Sequence, residues 1–124
     1  MDGRGEVFPS PLNWSAALVK LANVHVTTLL SGKVRGNHFH RLSRELLVIK
    51  YSGDCQFHWA IPVEGQTSRS FSGLGVALTE IEPKIPHAVF NSGKKELTIV
   101  SLMESGYDPK GPDVVPVVLV SATD

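Results

Sequence analysis

The sequence predicts an all-β domain, a sandwich or barrel of short strands, and three observations carry that expectation. Eleven glycines and eight prolines are spread evenly along 124 residues and cut the chain into short apolar runs. No window of helical period lasts more than two turns; the best helical stretch, Ser15 to Leu21, is weakened by β-branched and turn-forming neighbours. Where apolar residues do alternate, they alternate with period two, as in Cys55–Ile61, where Phe57 and Trp59 fall on one side and Gln56 and His58 on the other. Regular short strands separated by turn signals are the pattern of sandwiches and barrels.

Taken in order, strands are expected at Val7-Phe8, Val19–Asn23 and Val24–Leu30, ending in a Ser31-Gly32 turn. Gly36–His40 and Glu45–Tyr51 follow, the second closed by Ser52-Gly53-Asp54, and then comes Cys55–Ile61. Pro62 to Ser70 reads as a polar loop. Phe71 leads through Gly73 and Gly75 into Val76–Ile81. Pro83-Lys84-Ile85-Pro86 is a turn, because two prolines cannot both donate to a ladder. His87–Phe90, the turn at Asn91 to Lys94, and Glu96–Glu104 read as a late hairpin. Beyond a loop from Gly106 to Asp113, Val114–Val120 is a last strand, which Pro116 assigns to an edge or an interface.

Length and charge narrow the function classes. The chain is expected to form one domain, residues 1–124, large enough to bury a core. Twelve basic and twelve acidic residues cancel, with no face-sized run of Lys or Arg, which argues against nucleic acid or an anionic membrane as partner. The single cysteine, Cys55, permits no internal disulfide and reads as a small buried hydrophobe. With no run of eighteen apolar residues and no apolar leader after Met1, the expectation is a cytoplasmic protein.

The chemistry-bearing stretch is Gly36 to Glu45. His38 and His40, one residue apart, share a strand face, and Glu45 can return to that face from the next strand after a turn at Arg41 to Ser43. Two imidazoles and a carboxylate are three ligands of a first-row metal site. His87, behind a proline turn, is the candidate for the fourth; His25 and His58 compete for that role.

These residues resemble the cupin superfamily. Gly32-x5-His38-x-His40-x4-Glu45 followed by Gly53 is similar to the first cupin motif, and His87-x3-Asn91 to the end of the second. Lys84 stands where the second motif usually has a glycine. The resemblance implies a double-stranded β-helix, a jelly-roll barrel with the site inside. Arg35-Gly36-Asn37-His38 resembles the lead-in of sugar-nucleotide cupins that epimerise or isomerise dTDP- or UDP-linked 4-keto sugars, as does Asp2-Gly3-Arg4-Gly5. The run of residues 35–45 and the segment Asp108-Pro109-Lys110-Gly111-Pro112-Asp113 are most similar to the C-terminal cupin domain of capsular polysaccharide enzymes that make the UDP-N-acetyl-L-fucosamine precursor. There the matching His, His, Glu and His hold zinc, so the resemblance implies a zinc site on His38, His40, Glu45 and His87. It also implies a role in polysaccharide biosynthesis. The reductase domain preceding that cupin in the family is not in this sequence, so the keto sugar is expected to arrive from elsewhere.

Epimerisation beside a ketone requires a base that removes a C–H proton and a group that stabilises the enolate. A metal-bound imidazole has no free lone pair. Either the metal is catalytic and the base is another residue, or the metal is absent and His38 is the base. With metal present the base candidates are Lys50, Tyr51, His58, Glu80 and Lys84; His58 has the best-suited ordinary pKa, and Tyr51 is the kind of residue that returns a proton. Arg35 is the candidate for the substrate's pyrophosphate, with Lys84 a second substrate-binding candidate. Two other classes stay open: a cupin dioxygenase or other small cupin enzyme using iron, manganese or nickel, and a non-catalytic sugar-binding cupin. A homodimer is expected, covering an exposed sheet edge through the N-terminal strand and Val114–Val120.

Overall fold

The computed structural model describes residues 23–104 and 113–121. The expected elements at Val7-Phe8 and Ser15 to Leu21, nearly all of Val19–Asn23, the motif Asp2–Gly5, and residues 108–112 of the tail segment lie outside the described residues.

Nine strands make up the described fold. They are β1 (Asn23–Leu29), β2 (Val34–His40), β3 (Glu45–Ser52), β4 (Cys55–Ile61), β5 (Gly65–Phe71), β6 (Leu74–Ile81), β7 (His87–Phe90), β8 (Leu97–Met103) and β9 (Val114–Pro116). They form two antiparallel sheets, ordered β1-β8-β3-β6 and β5-β4-β7-β2-β9. This is the all-β double-stranded β-helix that the motifs implied. Among the described residues no helix is long and apolar enough to cross a membrane.

The period-two pattern of the strands dictates the core. Leu47 and Ile49 of β3, Phe57 of β4, Val89 of β7 and Leu97 and Ile99 of β8 are buried between the sheets with Cys55. Burial pushes the Cys55 thiol up to about 11, with Asp54 adding to the shift, so at neutral pH it stays the protonated apolar filler expected of it.

Four expectations about connectivity change. Pro62 to Ser70 is not a loop throughout: Gly65–Phe71 is an edge strand paired to β4 across a tight turn. All but its last residue are exposed, so no apolar alternation betrays it. The segment from His87 to Glu104 is no hairpin, because β7 and β8 belong to opposite sheets and the turn between them is a corner. The same holds for β2 and β3, so Glu45 reaches the histidines across the barrel rather than along one sheet. Finally, the last strand stops at Pro116, at the sheet edge where a proline is tolerated.

Asn91 holds the β7–β8 corner. Fully buried, it donates from Nδ2 to the carbonyls of Leu29 and Lys95 and accepts from the Gly93 amide. Three of its four hydrogen-bonding positions are satisfied, which is what makes a buried amide tolerable.

Candidate metal centre

Two local features aim the histidines inward. Gly36 and Asn37 both have positive φ, +95° and +54°, and the β2–β7 register shifts between Gly36 and His38. This bulge brings His38 opposite His87 and leaves His40 buried two residues on. The glycine is required twice over: a Cβ there would lie 2.8 Å from the His87 carbonyl oxygen and 3.1 Å from Ala88 Cα.

On the far side of the cluster, Lys84 occupies the turn position that the motif gives to glycine. Lys84 takes φ +70° and donates its amide to the His40 carbonyl at 2.6 Å, fastening the loop before β7 to the end of β2. Lysine in the left-handed region costs about 1–2 kcal/mol.

The four side chains converge. Ligand atoms of His38, His40 and His87 all lie within 4.8 Å of one another. Glu45, from the opposite sheet, places Oε1 3.1 Å from His87 Nε2 and 3.5 Å from His40 Nε2. Those separations resemble the edge of a tetrahedral site with bonds of about 2 Å, roughly 3.3 Å. His40, Glu45 and His87 are buried, and His38 is half-buried.

The hydrogen bonds around the rings set which atoms face inward. His87 Nδ1 donates to the Ile85 carbonyl at 3.0 Å, and His40 Nδ1 lies 2.9 Å from Asp113 Oδ2. A carbonyl and a carboxylate can only accept, so in neutral rings both Nε2 atoms carry lone pairs, aimed at Glu45 Oε1. Ser101 donates to the other Glu45 oxygen, Oε2. His40 Nε2 and Glu45 Oε1 are left buried without a hydrogen-bond partner. Converging buried acceptors with no donor among their neighbours are costly, and a shared cation is the charge that would satisfy them. The donor set therefore fits a divalent ion.

Titration follows the same crowding. Burial, then the His87 and His40 rings, push His38 down to about 4. For His40, burial is the largest influence and lowers its pKa, but Glu45 and Asp113 outweigh it and the net shift is upward. Burial likewise raises Glu45, yet His40, His87 and Ser101 hold the carboxyl well below the ordinary range.

The cluster opens into a cavity of about 510 Å³ that Arg35, His25, Thr27 and Met103 also line. Arg35 thus lines the same cavity, and its Nε donates to the Thr28 carbonyl at 3.4 Å. Three other candidates are not brought to it. Tyr51 is six residues along β3 from Glu45, roughly 20 Å away, and packs on Phe71 with ring centroids 5.4 Å apart. His58 falls on the opposite side of β4 from Phe57, on the outer face, beside Gln56 Oε1 at 2.9 Å. Lys84 lies in the turn, exposed, its backbone rather than its side chain serving the site. Of the residues the sequence reading did not weigh, Asp113 and Ser101 contact members of the cluster directly, His40 and Glu45 respectively. Only the tail segment ending at Asp113 was a signal for either.

The family model described as the polysaccharide biosynthesis C-terminal domain matches residues 12–115. Comparison with curated proteins gave no match. Among solved structures, the chain is similar to the capsular polysaccharide assembling protein CapF from Staphylococcus aureus, with 22% identity and a TM-score of 0.63, over 76% of this chain and 26% of that one. It thus spans about a quarter of CapF. The sugar 3,4-ketoisomerase QdtA from Thermoanaerobacterium thermosaccharolyticum, in complex with TDP, has 22% identity and a TM-score of 0.56 over 77% of this chain and 66% of its own. NovW, a 4-keto-6-deoxy sugar epimerase from Streptomyces spheroides, has 19% identity and a TM-score of 0.64 over 88% and 61%. At these identities the structures speak for the fold, whereas the family match spans most of the chain: this protein belongs to the polysaccharide biosynthesis C-terminal domain family.

Proposed function

We propose that this chain is a divalent-metal cupin that epimerises or isomerises a nucleotide-activated 4-keto sugar in surface polysaccharide biosynthesis. One observation carries the reading: three imidazoles and one carboxylate from both sheets meet at the end of a cavity, with two buried acceptor atoms otherwise unsatisfied. His38, His40, Glu45 and His87 hold the ion, and zinc suits a nitrogen-rich, oxygen-poor set. When bound, it supplies a Lewis acid that polarises a ketone oxygen.

The chain's own residues then do the rest. Arg35, lining the same cavity, orients the substrate's pyrophosphate through a planar guanidinium fork. His38 is committed to the ion, so the proton is moved by another group. His25 is the imidazole that lines this cavity without belonging to the cluster, and it replaces His58 and Tyr51 as the base. The similarity to QdtA, a sugar 3,4-ketoisomerase, and NovW, a 4-keto-6-deoxy sugar epimerase, supports this choice of reaction. A homodimer through β1 is part of the proposal: β1 ends its sheet, and its Val24 and Val26 are exposed.

Elemental analysis of the purified chain should find about one divalent metal ion per protomer. In deuterated water, the loaded protein should then exchange a carbon-bound proton of a dTDP- or UDP-4-keto-6-deoxy sugar, read by NMR. A metal-loaded protein that binds such a sugar without exchange would instead be a sugar-binding cupin. Oxygen uptake with a catechol or thiol would make it an oxygenase.

A further inference from the structure

Asp113 lies outside both ligand-bearing motifs, yet its carboxylate reaches the back of one histidine of the cluster. Oδ2 sits 2.9 Å from His40 Nδ1 and accepts from Ser43 Oγ at 2.9 Å. Oδ1 accepts from the Leu42 amide at 2.7 Å, and the Asp113 carbonyl accepts from the Arg41 amide at 2.8 Å. The carboxylate is thus fixed by the very turn that links His40 to Glu45, and its side chain is only 13% exposed.

The segment that carries Asp113 is itself pinned at its other end. Asn37 donates from Nδ2 to the Val120 carbonyl at 2.8 Å and accepts on Oδ1 from the Leu119 and Val120 amides at 2.9 and 3.1 Å. Its carbonyl accepts from the Val117 amide at 2.8 Å. Between these clamps, β9 pairs with β2 in the register His38↔Pro116, Phe39↔Val115 and His40↔Val114. The C-terminal segment is therefore laid along the strand that bears both histidines.

We propose that Asp113 is the positioning residue of the metal centre: it holds His40 in the Nδ1–H tautomer, so that Nε2 presents its lone pair to the ion. This rests on the metal reading above. A carboxylate behind a ligating imidazole fixes ring and tautomer and strengthens the ligand, and removing such a partner costs 10- to 100-fold in affinity.

Asp113→Asn tests this with almost no change in shape. The Leu42 amide can only donate, so the new amide turns its oxygen toward Leu42 and its NH₂ toward His40. That NH₂ donates to Nδ1, moves the ring proton to Nε2 and blocks the ligand atom. Zinc affinity measured on the full chain by chelator competition should fall about 10- to 100-fold, with the unfolding midpoint little changed. The visible spectrum of the cobalt-loaded variant should also change in shape or intensity. A second measurement does not depend on any variant of Asp113 folding. In metal-free wild type at a pH where the ring is neutral, the ¹⁵N shifts of His40, assigned with His40→Gln, should report Nδ1–H. Wild-type zinc affinity retained in Asp113→Asn, or an Nε2–H ring in wild type, overturns the proposal. A wild type that binds no divalent ion sinks the metal reading instead, and the ring measurement still decides the role of Asp113.

Discussion

Replacing Gly36 by alanine should damage the metal centre from beneath, through the backbone, with all four ligating side chains left in place. The residue sits at φ +95°, where an L side chain is strained by about 1–3 kcal/mol. Its new methyl would lie 2.8 Å from the His87 carbonyl oxygen and 3.1 Å from Ala88 Cα, both backbone atoms of a central strand that cannot swing aside. Overpacking of that kind costs about 1–3 kcal/mol more. The sum, about 2–6 kcal/mol, falls short of the middle of the 5–15 kcal/mol typical of a domain, so the variant should fold but melt about 8–25 °C lower. Because β2 carries His38 and His40 and β7 carries His87, relief of the clash moves two ligands away from the third. Metal affinity should therefore fall along with stability. Urea unfolding with chelator competition on the same preparation checks both. Gly36→Ala with the wild-type midpoint would refute the close approach; a lowered midpoint with unchanged metal affinity would refute the link between β2–β7 spacing and the site.

Three further outcomes follow from the same geometry. His40→Ala should lose most of its metal, about tenfold or more, while far-ultraviolet circular dichroism stays that of an all-β fold; unchanged metal content would refute the ligand assignment. In the metal-free protein, His38 has its pKa depressed from 6.5 to about 4, so the unfolded chain binds more protons between those values. Its contribution therefore makes stability fall as pH drops from 6.5 to 4, whereas His40, shifted upward, contributes stability at low pH that is lost as pH rises through its folded value. His38→Gln should flatten the acid-side fall in the urea midpoint, and an unaltered pH profile would count against the crowding of the three rings. Lys84→Gly should stabilise by about 0.5–1 kcal/mol, since glycine relieves left-handed strain at some entropic cost, and should leave nucleotide-sugar binding intact. Weakened binding in that variant would return the Lys84 side chain to the substrate site.

Much of the fold was legible because period-two burial is written locally. β4 alternates cleanly, and the inward residues Cys55 and Phe57 are those that fill the core. What the sequence could not say was which sheet each strand joins. A short turn between two strands suggests a hairpin, but the Asn91 corner is equally short and sends β8 to the opposite sheet. Nothing in the residues of β5 marks a strand at all, because an edge exposed on both faces obeys no apolar alternation. There the ladder with β4 decides the conformation, not the side chains.

The site divides along the same line. The meeting of His38, His40, Glu45 and His87 was legible because residue types able to ligate a metal are few and their spacings constrained. The proposed base and the residues behind the cluster were not, because both are set by which strands face each other across the barrel. His58 has the right chemistry on the wrong side of β4, and Tyr51 the right side of β3 at the wrong end. His25 stood in the sequence only as a competitor for the fourth ligand position; that it shares a cavity with β2 follows from the way the two sheets face each other. Asp113 is 73 residues from the ring it contacts, too far for any local pattern to pair them. Its place depends on Asn37, whose side chain captures the tail, and on the bulge that frees Asn37 from the β2 ladder. The Gly36-Asn37 pair thus serves two ends at once: it aims His38 into the barrel, and it anchors the segment whose carboxylate holds His40.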